Sequence, residues 1–363
     1  MIILLGLGWI TMTMHVSALE TITATDRIVF VGDSITDGFT CPLLVQQALS
    51  EAGKPVPKLI NAGVGSDTAE MMAKRIERDV LPQRPTLVFL SAGVNDAIRN
   101  VSVEAYQKSI KSITAQLQKE NIPIVIFTAT ILGEPNADKE KRIDEFNVFL
   151  RAFAAESGYR VADVNALMQA ARKSGDQGMI MTDHVHLTFH GYEFMARAAL
   201  NSLGLGDLSV PTELKPPPYS GLIKSWKFRT AKDALTDQTI REVAVDGTWK
   251  SYELPEKQPV TESWWTEHER QRGTAVSVER EFGKSPRYIG VTELEEKAPR
   301  SVTFHVGAAL DAIWLNGQRI YKASDWRGWH LDRERASAEL KAGRNQLVIE
   351  TCGQFILTMD DGK

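Results

Sequence analysis

The most informative stretch of this chain is Arg27-Ile28-Val29-Phe30-Val31-Gly32-Asp33-Ser34-Ile35-Thr36. Its first five residues form a short, mainly β-branched run that ends at a glycine, which predicts a buried strand closed by a turn. Residues 42–51 follow with the spacing of an amphipathic helix. Ser34 is therefore expected on a strand-to-helix turn, at the sheet edge where open parallel sheets bind ligands.

The alternation of strands and helices continues along the next part of the chain. Strands are predicted at residues 57–61, 86–91, 122–127 and 159–162, and helices at residues 68–78, 103–119, 138–155 and 189–203. Continuous apolar strands that alternate with helices indicate a parallel sheet covered on both faces. We therefore predict an α/β domain over residues 25–203.

Three further blocks place polar or glycine residues near the same sheet edge. They are Asn61-Ala62-Gly63-Val64-Gly65-Ser66, Gly93-Val94-Asn95-Asp96 and Asp183-His184-Val185-His186. The first two follow predicted strands, and the third precedes the last helix and can reach the edge from a loop. A serine hydroxyl needs an adjacent base, for which histidine has a suitable pKa, and a carboxylate orients that base. With oxyanion donors added, these are the parts of a serine esterase.

The four blocks resemble those of the SGNH hydrolases, the GDSL esterase/lipase superfamily, over about residues 25–203. The resemblance implies a flavodoxin-like, three-layer α/β/α fold and ester hydrolysis through an acyl-enzyme, with no metal or organic cofactor. It assigns Ser34 as the nucleophile, His186 as the general base and Asp183 as the orienting partner of His186. The oxyanion hole would comprise the Asn95 side chain, the Ser34 amide and an amide of the second block.

The second block departs from the family pattern at its last position. The family carries Asn-x-Gly-x-x-Gly, whereas here Ser66 stands at the final position and Gly65 precedes it. A non-glycine residue resists positive φ, but its backbone N–H remains a donor. The sequence therefore leaves open whether Gly65 or Ser66 supplies the oxyanion amide.

The histidine-rich stretch also permits a metal-binding interpretation. Asp183, His184, His186 and His190 are residue types that ligate metals. An extended loop need not bring His184 and His186 onto one ion, and such a site would leave Ser34 and Asn95 without a role. We therefore favour the esterase, and expect His184 and His190 to be loop and cap residues.

The N-terminal segment, the net charge and the cysteine count limit where the protein can function and what it can bind. Residues 1–18 form an apolar segment ending in Val-Ser-Ala, which predicts a signal peptide and a secreted or periplasmic protein. A net charge of −4 over 363 residues gives no reason to expect binding to nucleic acid or to an anionic membrane. We predict no membrane span, and the two cysteines exclude a disulfide framework.

A second domain is predicted after a proline-rich linker at residues 204–221. Residues 222–363 contain short β-type segments at 275–282, 301–306, 312–315 and 346–351, and Asn316-Gly317 is a hairpin signal. This pattern predicts an all-β, jelly-roll-like sandwich. Part of it resembles the galactose-binding-like jelly rolls attached to carbohydrate-active enzymes.

Tryptophan is concentrated in this second domain. Most of these rings are expected in the sandwich core, where aromatic side chains bury much area, and Trp326 and Trp329 are the better surface candidates. We expect the domain to bind a glycan or to buttress the active-site edge.

The expected function is therefore an O-acetyl esterase that acts on an acetylated oligo- or polysaccharide. The alternatives are a lipid or lysophospholipid esterase, and a sugar-binding protein with an inactive hydrolase domain. The complete set of Ser34, Asn95, Asp183 and His186 argues against the last. The sequence does not indicate the acyl chain length or the oligomeric state.

Overall fold

A computed structural model describes residues 21–253, 278–324 and 328–360. The predicted signal peptide therefore lies outside the described residues, as do Trp264, Trp265 and Trp326. The N-terminal elements are β1 Arg27–Gly32, α1 Ser34–Asp37, α2 Thr40–Glu51, β2 Lys58–Gly63, α3 Ala69–Ala73, β3 Leu87–Ser91, α4 Val94–Ile98, α5 Val103–Lys119, β4 Ile124–Phe127, α6 Ala137–Ser157, β5 Arg160–Ala162, α7 Val164–Lys173 and α8 Phe189–Ser202.

The five N-terminal strands form one parallel sheet in the order β2-β1-β3-β4-β5. This is the flavodoxin-like order, so the predicted fold class is confirmed. The chain moves one way from β1 to β2 and the other way afterwards. Because such crossovers are right-handed, α2 covers one face of the sheet and α3, α5 and α6 cover the other. Helix α8 packs on α2, which completes three layers.

The strand order also decides where a ligand site can form. The direction reverses at β1, whose neighbours are β2 and β3. The crevice beyond the carboxyl ends of β1 and β3 is therefore the topological switch point, where ligands bind in open α/β sheets. Ser34 follows β1 and Asn95 lies just past β3.

Helix α5 illustrates why these segments are helical. Ser102 caps its start, with its side chain accepting a hydrogen bond from the Ala105 N–H, and the stripe of Tyr106, Ile110 and Leu117 is buried against the core. This spacing is that of one helix face, and its prediction at residues 103–119 is confirmed. Helices α1, α4 and α7 were not predicted, since the first two are too short to show a period.

The helix predicted at residues 68–78 is wrong in its second half. Helix α3 ends at Ala73, and a π-helical turn, Ile76–Val80, follows it. Between them Arg75 is buried, with its guanidinium bonded to the Asp67 carboxylate, to Ala62 O and to Gly32 O. The break allows this arginine to turn inward and tie the ends of β1 and β2 to the following loop.

The remaining strands form a seven-stranded sheet after residues 204–221, which contain no helix or strand. They are β6 Ser225–Ala231, β7 Lys250–Glu253, β8 Arg287–Glu296, β9 Arg300–Leu315, β10 Gln318–Lys322, β11 Glu334–Leu340 and β12 Gly343–Asp360. The order is β10-β9-β12-β8-β6-β7, with β11 also paired to β9. All pairs are antiparallel.

Two long strands build this sheet into a β-sandwich. The first half of β9 pairs with β11 and its second half with β10, and β12 changes register between Glu350 and Phe355. Side chains from both halves, such as Phe304, Ile313 and Phe355, pack in one buried cluster. The predicted strands at 301–306 and 312–315 are therefore one strand, because a bulge rather than a turn separates them.

Two local predictions in this domain have opposite outcomes. Asn316 and Gly317 both have positive φ and join β9 to β10, so the predicted hairpin is confirmed. The strand predicted at 275–282 is wrong, since Val278–Phe282 is a short helix; residues 275–277 lie outside the described residues. Val278 and Phe282 stand four residues apart, and a helical turn lets both face the sandwich core.

The described tryptophan side chains differ in how deeply they are buried. Trp226, Trp249 and Trp314 are buried, as expected for core rings. Trp329, predicted as a surface residue, is only half-buried and lies where the sandwich meets the N-terminal domain. Within the described ranges, no helix combines the length and apolarity that crossing a membrane requires.

Candidate active site

Ser34 lies at the amino end of α1, directly after β1. Asp33 caps this helix, and its Oδ1 accepts a hydrogen bond from the Ile35 N–H at 3.0 Å. A side chain at Gly32 would collide with Thr36 Oγ1, because its Cβ would lie 2.0 Å from that atom. The glycine therefore permits the tight turn that presents the half-buried Ser34 at the sheet edge.

The structure brings Ser34, His186 and Asp183 into one hydrogen-bonded chain. His186 Nε2 lies 2.7 Å from Ser34 Oγ, and His186 Nδ1 lies 2.7 Å from Asp183 Oδ2. The serine and the histidine are 152 residues apart in the sequence. This arrangement activates a serine nucleophile, because the histidine can accept the hydroxyl proton and the carboxylate orients the histidine.

The loop that carries His186 fixes the Asp183 carboxylate. Asp183 Oδ1 accepts hydrogen bonds from the Val185 N–H at 3.0 Å and the His186 N–H at 2.9 Å. Partial burial opposes ionisation, but these two bonds and the contact with the imidazole hold the pKa of Asp183 below its usual range. The carboxylate is therefore ionised at neutral pH and suited to stabilise an imidazolium.

The second block forms a tight turn beside the serine. The Asp67 N–H donates to Val64 O, and Ser66 stands in the turn with φ of 70°. The Gly65 N–H donates to Asp37 Oδ2 at 3.3 Å. Within the described residues, the amides of Ser34 and Ser66 donate no hydrogen bond, so both are available to an incoming oxyanion. The geometry favours Ser66 over Gly65 as the second donor.

Asn95, from the third block, is held at the same edge. Its Nδ2 donates to Asp67 O at 3.1 Å and to Asp33 Oδ2 at 3.3 Å. Asn95 Nδ2 therefore has two acceptors within the protein. An oxyanion bound here would compete with Asp67 O and Asp33 Oδ2 for the Asn95 amide hydrogens.

Buried carboxylates lie beneath these residues, and sequence reasoning did not identify them as part of the site. Burial, with the nearby charges of Asp96 and Asp67, raises the pKa of Asp33 to about 7. Burial also raises the pKa of Asp96 to about 6, and Asp96 accepts hydrogen bonds from the Ala69 N–H. Asp33, Asp67 and Asp96 each stand next to a motif residue in the sequence. Nothing in the sequence, however, indicates that Arg75 is buried beside Asp67.

The raised pKa of Asp33 predicts a pH-dependent effect of Asp33→Asn on stability. Between about pH 4 and 7 the folded state binds a proton on Asp33 that the unfolded chain has released. This group therefore loses stabilising effect as the pH rises through that window. Asparagine keeps an acceptor for the helix cap and carries no charge. The stability of the Asp33→Asn protein relative to the wild type should therefore increase with pH.

Urea unfolding of both proteins near pH 5, about one unit inside the window, and near pH 8, about one unit above it, checks this expectation. Any effect of the substitution on the free energy of unfolding that does not depend on pH is the same at both pH values and cancels in the comparison. An equal stability difference at the two pH values would show that Asp33 does not titrate with a raised pKa.

The other histidines of the predicted metal alternative are not gathered with His186. His184 has φ of 65°, and its carbonyl accepts a hydrogen bond from the Gly133 N–H. His190 contacts Asp176 at 2.6 Å and Glu193 at 2.7 Å, and these carboxylates raise its pKa. In the part of the chain that the structure describes, no cluster of His, Cys, Asp or Glu is arranged to hold a metal.

Comparison with known proteins places the site in a family. Residues 30–194 match the model of the GDSL-like lipase/acylhydrolase family. An acetylxylan esterase of Geobacillus stearothermophilus is 23% identical over 209 residues, covering 49% of this chain and 94% of that protein. Esterase TesA of Pseudomonas aeruginosa is 24% identical over 169 residues, covering 45% of this chain and 80% of that protein.

A solved structure of a lipase/acylhydrolase from Enterococcus faecalis is also similar. It is 24% identical, with a TM-score of 0.46, over 52% of this chain and 100% of that one. The family match spans the region that contains the Ser34–His186–Asp183 chain of hydrogen bonds. Residues 30–194 therefore belong to the GDSL-like lipase/acylhydrolase family, and the protein is a carboxylic ester hydrolase.

Proposed function

We propose that this protein is an exported serine esterase that removes acetyl groups from an acetylated carbohydrate. The observation that carries the serine esterase part of the proposal is the contact of His186 Nε2 with Ser34 Oγ at 2.7 Å, with Asp183 on the other ring nitrogen. Export rests on the apolar segment at residues 1–18.

In the proposed reaction, Ser34 Oγ attacks the carbonyl carbon of the ester while His186 Nε2 takes the hydroxyl proton. The tetrahedral oxyanion accepts hydrogen bonds from the amides of Ser34 and Ser66 and from Asn95 Nδ2. Collapse of this intermediate breaks the ester C–O bond, and His186 returns the proton to the departing alcohol. Water, deprotonated by His186, then attacks the acyl-enzyme; the bond to Ser34 Oγ breaks, His186 returns the proton to Ser34 Oγ, and the acid is released.

Three observations support a carbohydrate as the alcohol part of the substrate. The similarity to an acetylxylan esterase extends over 94% of that protein. The rim of the site is accessible, since Ser66 is exposed and 45% of the Asp183 side chain surface faces solvent, so a bulky alcohol can approach the serine. A β-sandwich also adjoins the N-terminal domain, an association typical of carbohydrate-active enzymes, although fold alone does not determine a substrate.

Acetate release from acetylated xylan and acetylated pectin fragments, by the wild type and by Ser34→Ala, tests the proposal. A p-nitrophenyl acyl series of increasing chain length serves as the comparison. We expect release from a glycan that the substitution abolishes, and a preference for the shortest acyl group. Hydrolysis of long acyl esters alone would instead identify a lipid esterase. Absence of Ser34-dependent hydrolysis would favour a sugar-binding protein with an inactive hydrolase domain.

A further inference from the structure

Asp37 lies at the end of α1, three residues after Ser34, and its side chain has no solvent exposure. The Asn61 side chain donates to the Asp37 carbonyl at 2.8 Å, and the Gly65 N–H donates to the Asp37 carboxylate. This residue therefore joins the helix that carries the nucleophile to the turn that carries Ser66. A four-residue helix has little stability of its own, so it depends on such tertiary contacts.

The other donors to the Asp37 carboxylate come from the β-sandwich. The Trp329 N–H lies 3.0 Å from both oxygens, the His330 N–H lies 3.1 Å from Oδ1, and His330 Nδ1 lies 2.9 Å from Oδ1. We name residues 328–330 the clamp loop. The clamp loop makes four of the five hydrogen-bonding contacts that the described residues give this carboxylate, and Gly65 makes the fifth.

The clamp loop is itself fixed to the middle of β9. The Ala308 N–H donates to Trp329 O at 2.8 Å, so one residue links the sandwich to Asp37 through its carbonyl and its amide. Gly328 has φ of 94°, and a Cβ there would lie 2.6 Å from Gly63 O. Only glycine permits this approach to the end of β2. The contact is thus built from both domains rather than from flexible surface side chains.

A buried carboxylate requires hydrogen-bond donors, because removing them leaves a charge without compensation. Loss of the clamp loop contacts would leave this buried carboxylate with the Gly65 N–H as its donor and would force its side chain to move toward water. That movement would shift α1 and the Gly65 amide, and with them Ser34 and Ser66. Small displacements of reacting groups reduce turnover strongly, while substrate binding outside the reacting centre is retained.

We infer that the β-sandwich is a structural part of the esterase centre, with Asp37 and His330 as positioning residues for Ser34 and for the Ser66 turn. This inference rests on the proposed function of Ser34 as the nucleophile. On this inference, the second domain contributes to catalysis by positioning Ser34 and the Ser66 turn, whether or not it also binds a sugar.

The test uses the full chain and p-nitrophenyl acetate, with kcat, KM and the melting temperature measured for each variant. His330→Leu removes the side-chain donor to Asp37, and His330→Asn puts a different side-chain donor in its place. Asp37→Asn replaces the carboxylate that accepts these hydrogen bonds with a neutral amide. Asn345→Ala is the matched control, since Asn345 is buried in the same sandwich and bonds to residues 316, 341 and 343, outside the clamp loop.

We expect His330→Leu and Asp37→Asn to lower kcat by about 10- to 100-fold at unchanged KM. His330→Asn should recover most of the lost activity, and Asn345→Ala should lower the melting temperature but not kcat. In the His330→Leu/Asp37→Asn double variant, the loss of kcat should be smaller than the product of the two single losses, because both substitutions disturb the contact of His330 Nδ1 with Asp37 Oδ1.

Folded His330→Leu and Asp37→Asn proteins with wild-type kcat would overturn the inference, as would an equal kcat loss in Asn345→Ala. The Asp37→Asn comparison tests the same contact from the other domain if His330→Leu does not fold. Because p-nitrophenyl acetate reports on ester chemistry alone, inactivity toward acetylated glycans would contradict the substrate proposal without affecting this result.

Discussion

His186→Ala is expected to lower kcat by about 10⁴- to 10⁶-fold, and Ser34→Ala by a similar factor. The physical reason is the contact of His186 Nε2 with Ser34 Oγ, through which the proton of the hydroxyl must leave. A serine hydroxyl without a base is a weak nucleophile at neutral pH. Steady-state hydrolysis of p-nitrophenyl acetate, with circular dichroism to verify folding, measures the effect.

The same experiment distinguishes a catalytic unit from independent contributions. The Ser34→Ala/His186→Ala double variant should be no less active than the single variants, since either change already disables the unit. His184→Asn is the matched control: it lies in the same loop, and asparagine tolerates the positive φ of that position. Near-normal activity of His186→Ala, or an equal loss in His184→Asn, would contradict the assignment of His186 as the base.

Asn95→Ala is expected to lower kcat by about 10²- to 10³-fold, the usual cost of removing one oxyanion donor. KM should change little, because the bond to the oxyanion forms only as negative charge develops in the transition state. Asn95 Nδ2 already lies at the site, held by hydrogen bonds to Asp67 O and Asp33 Oδ2. Separate measurement of kcat and KM with p-nitrophenyl acetate checks both expectations.

Ser66→Gly provides the control for this measurement. It deletes an exposed hydroxyl, keeps the backbone N–H and is compatible with φ of 70° at that position. Its kcat should therefore remain near the wild-type value. A loss confined to KM in Asn95→Ala would show that this side chain binds the ground state and does not stabilise the oxyanion.

Local sequence patterns predicted most of the N-terminal domain. The buried run before Ser34 and the amphipathic stretch at residues 103–119 became β1 and α5, because apolar periodicity and capping act over a few residues. The motif residues fell at one sheet edge because parallel strands end together. Distances such as that from His186 to Ser34 could not be predicted, since loop conformation sets them.

The sandwich was predictable as a class but not in its details. The Asn316-Gly317 turn has a local cause and was identified, whereas the union of two predicted strands in β9 was not. Whether a break in an apolar pattern becomes a turn or a bulge depends on the neighbouring strand. Here β12 continues beside both halves of β9. Pairing with β12 therefore keeps β9 as one strand with a bulge instead of two strands joined by a turn.

By itself, the sequence determined the alternation of strands and helices, the candidate nucleophile, base and orienting carboxylate, and the presence of a second, β-rich domain. Only the tertiary structure decided that Arg75 is buried beside Asp67 and that the Trp329 amide contacts Asp37 across 292 residues. A charged residue on a surface and one in a buried cluster look the same in a sequence. Their partners are set by which elements meet after folding, and no short-range pattern encodes that meeting.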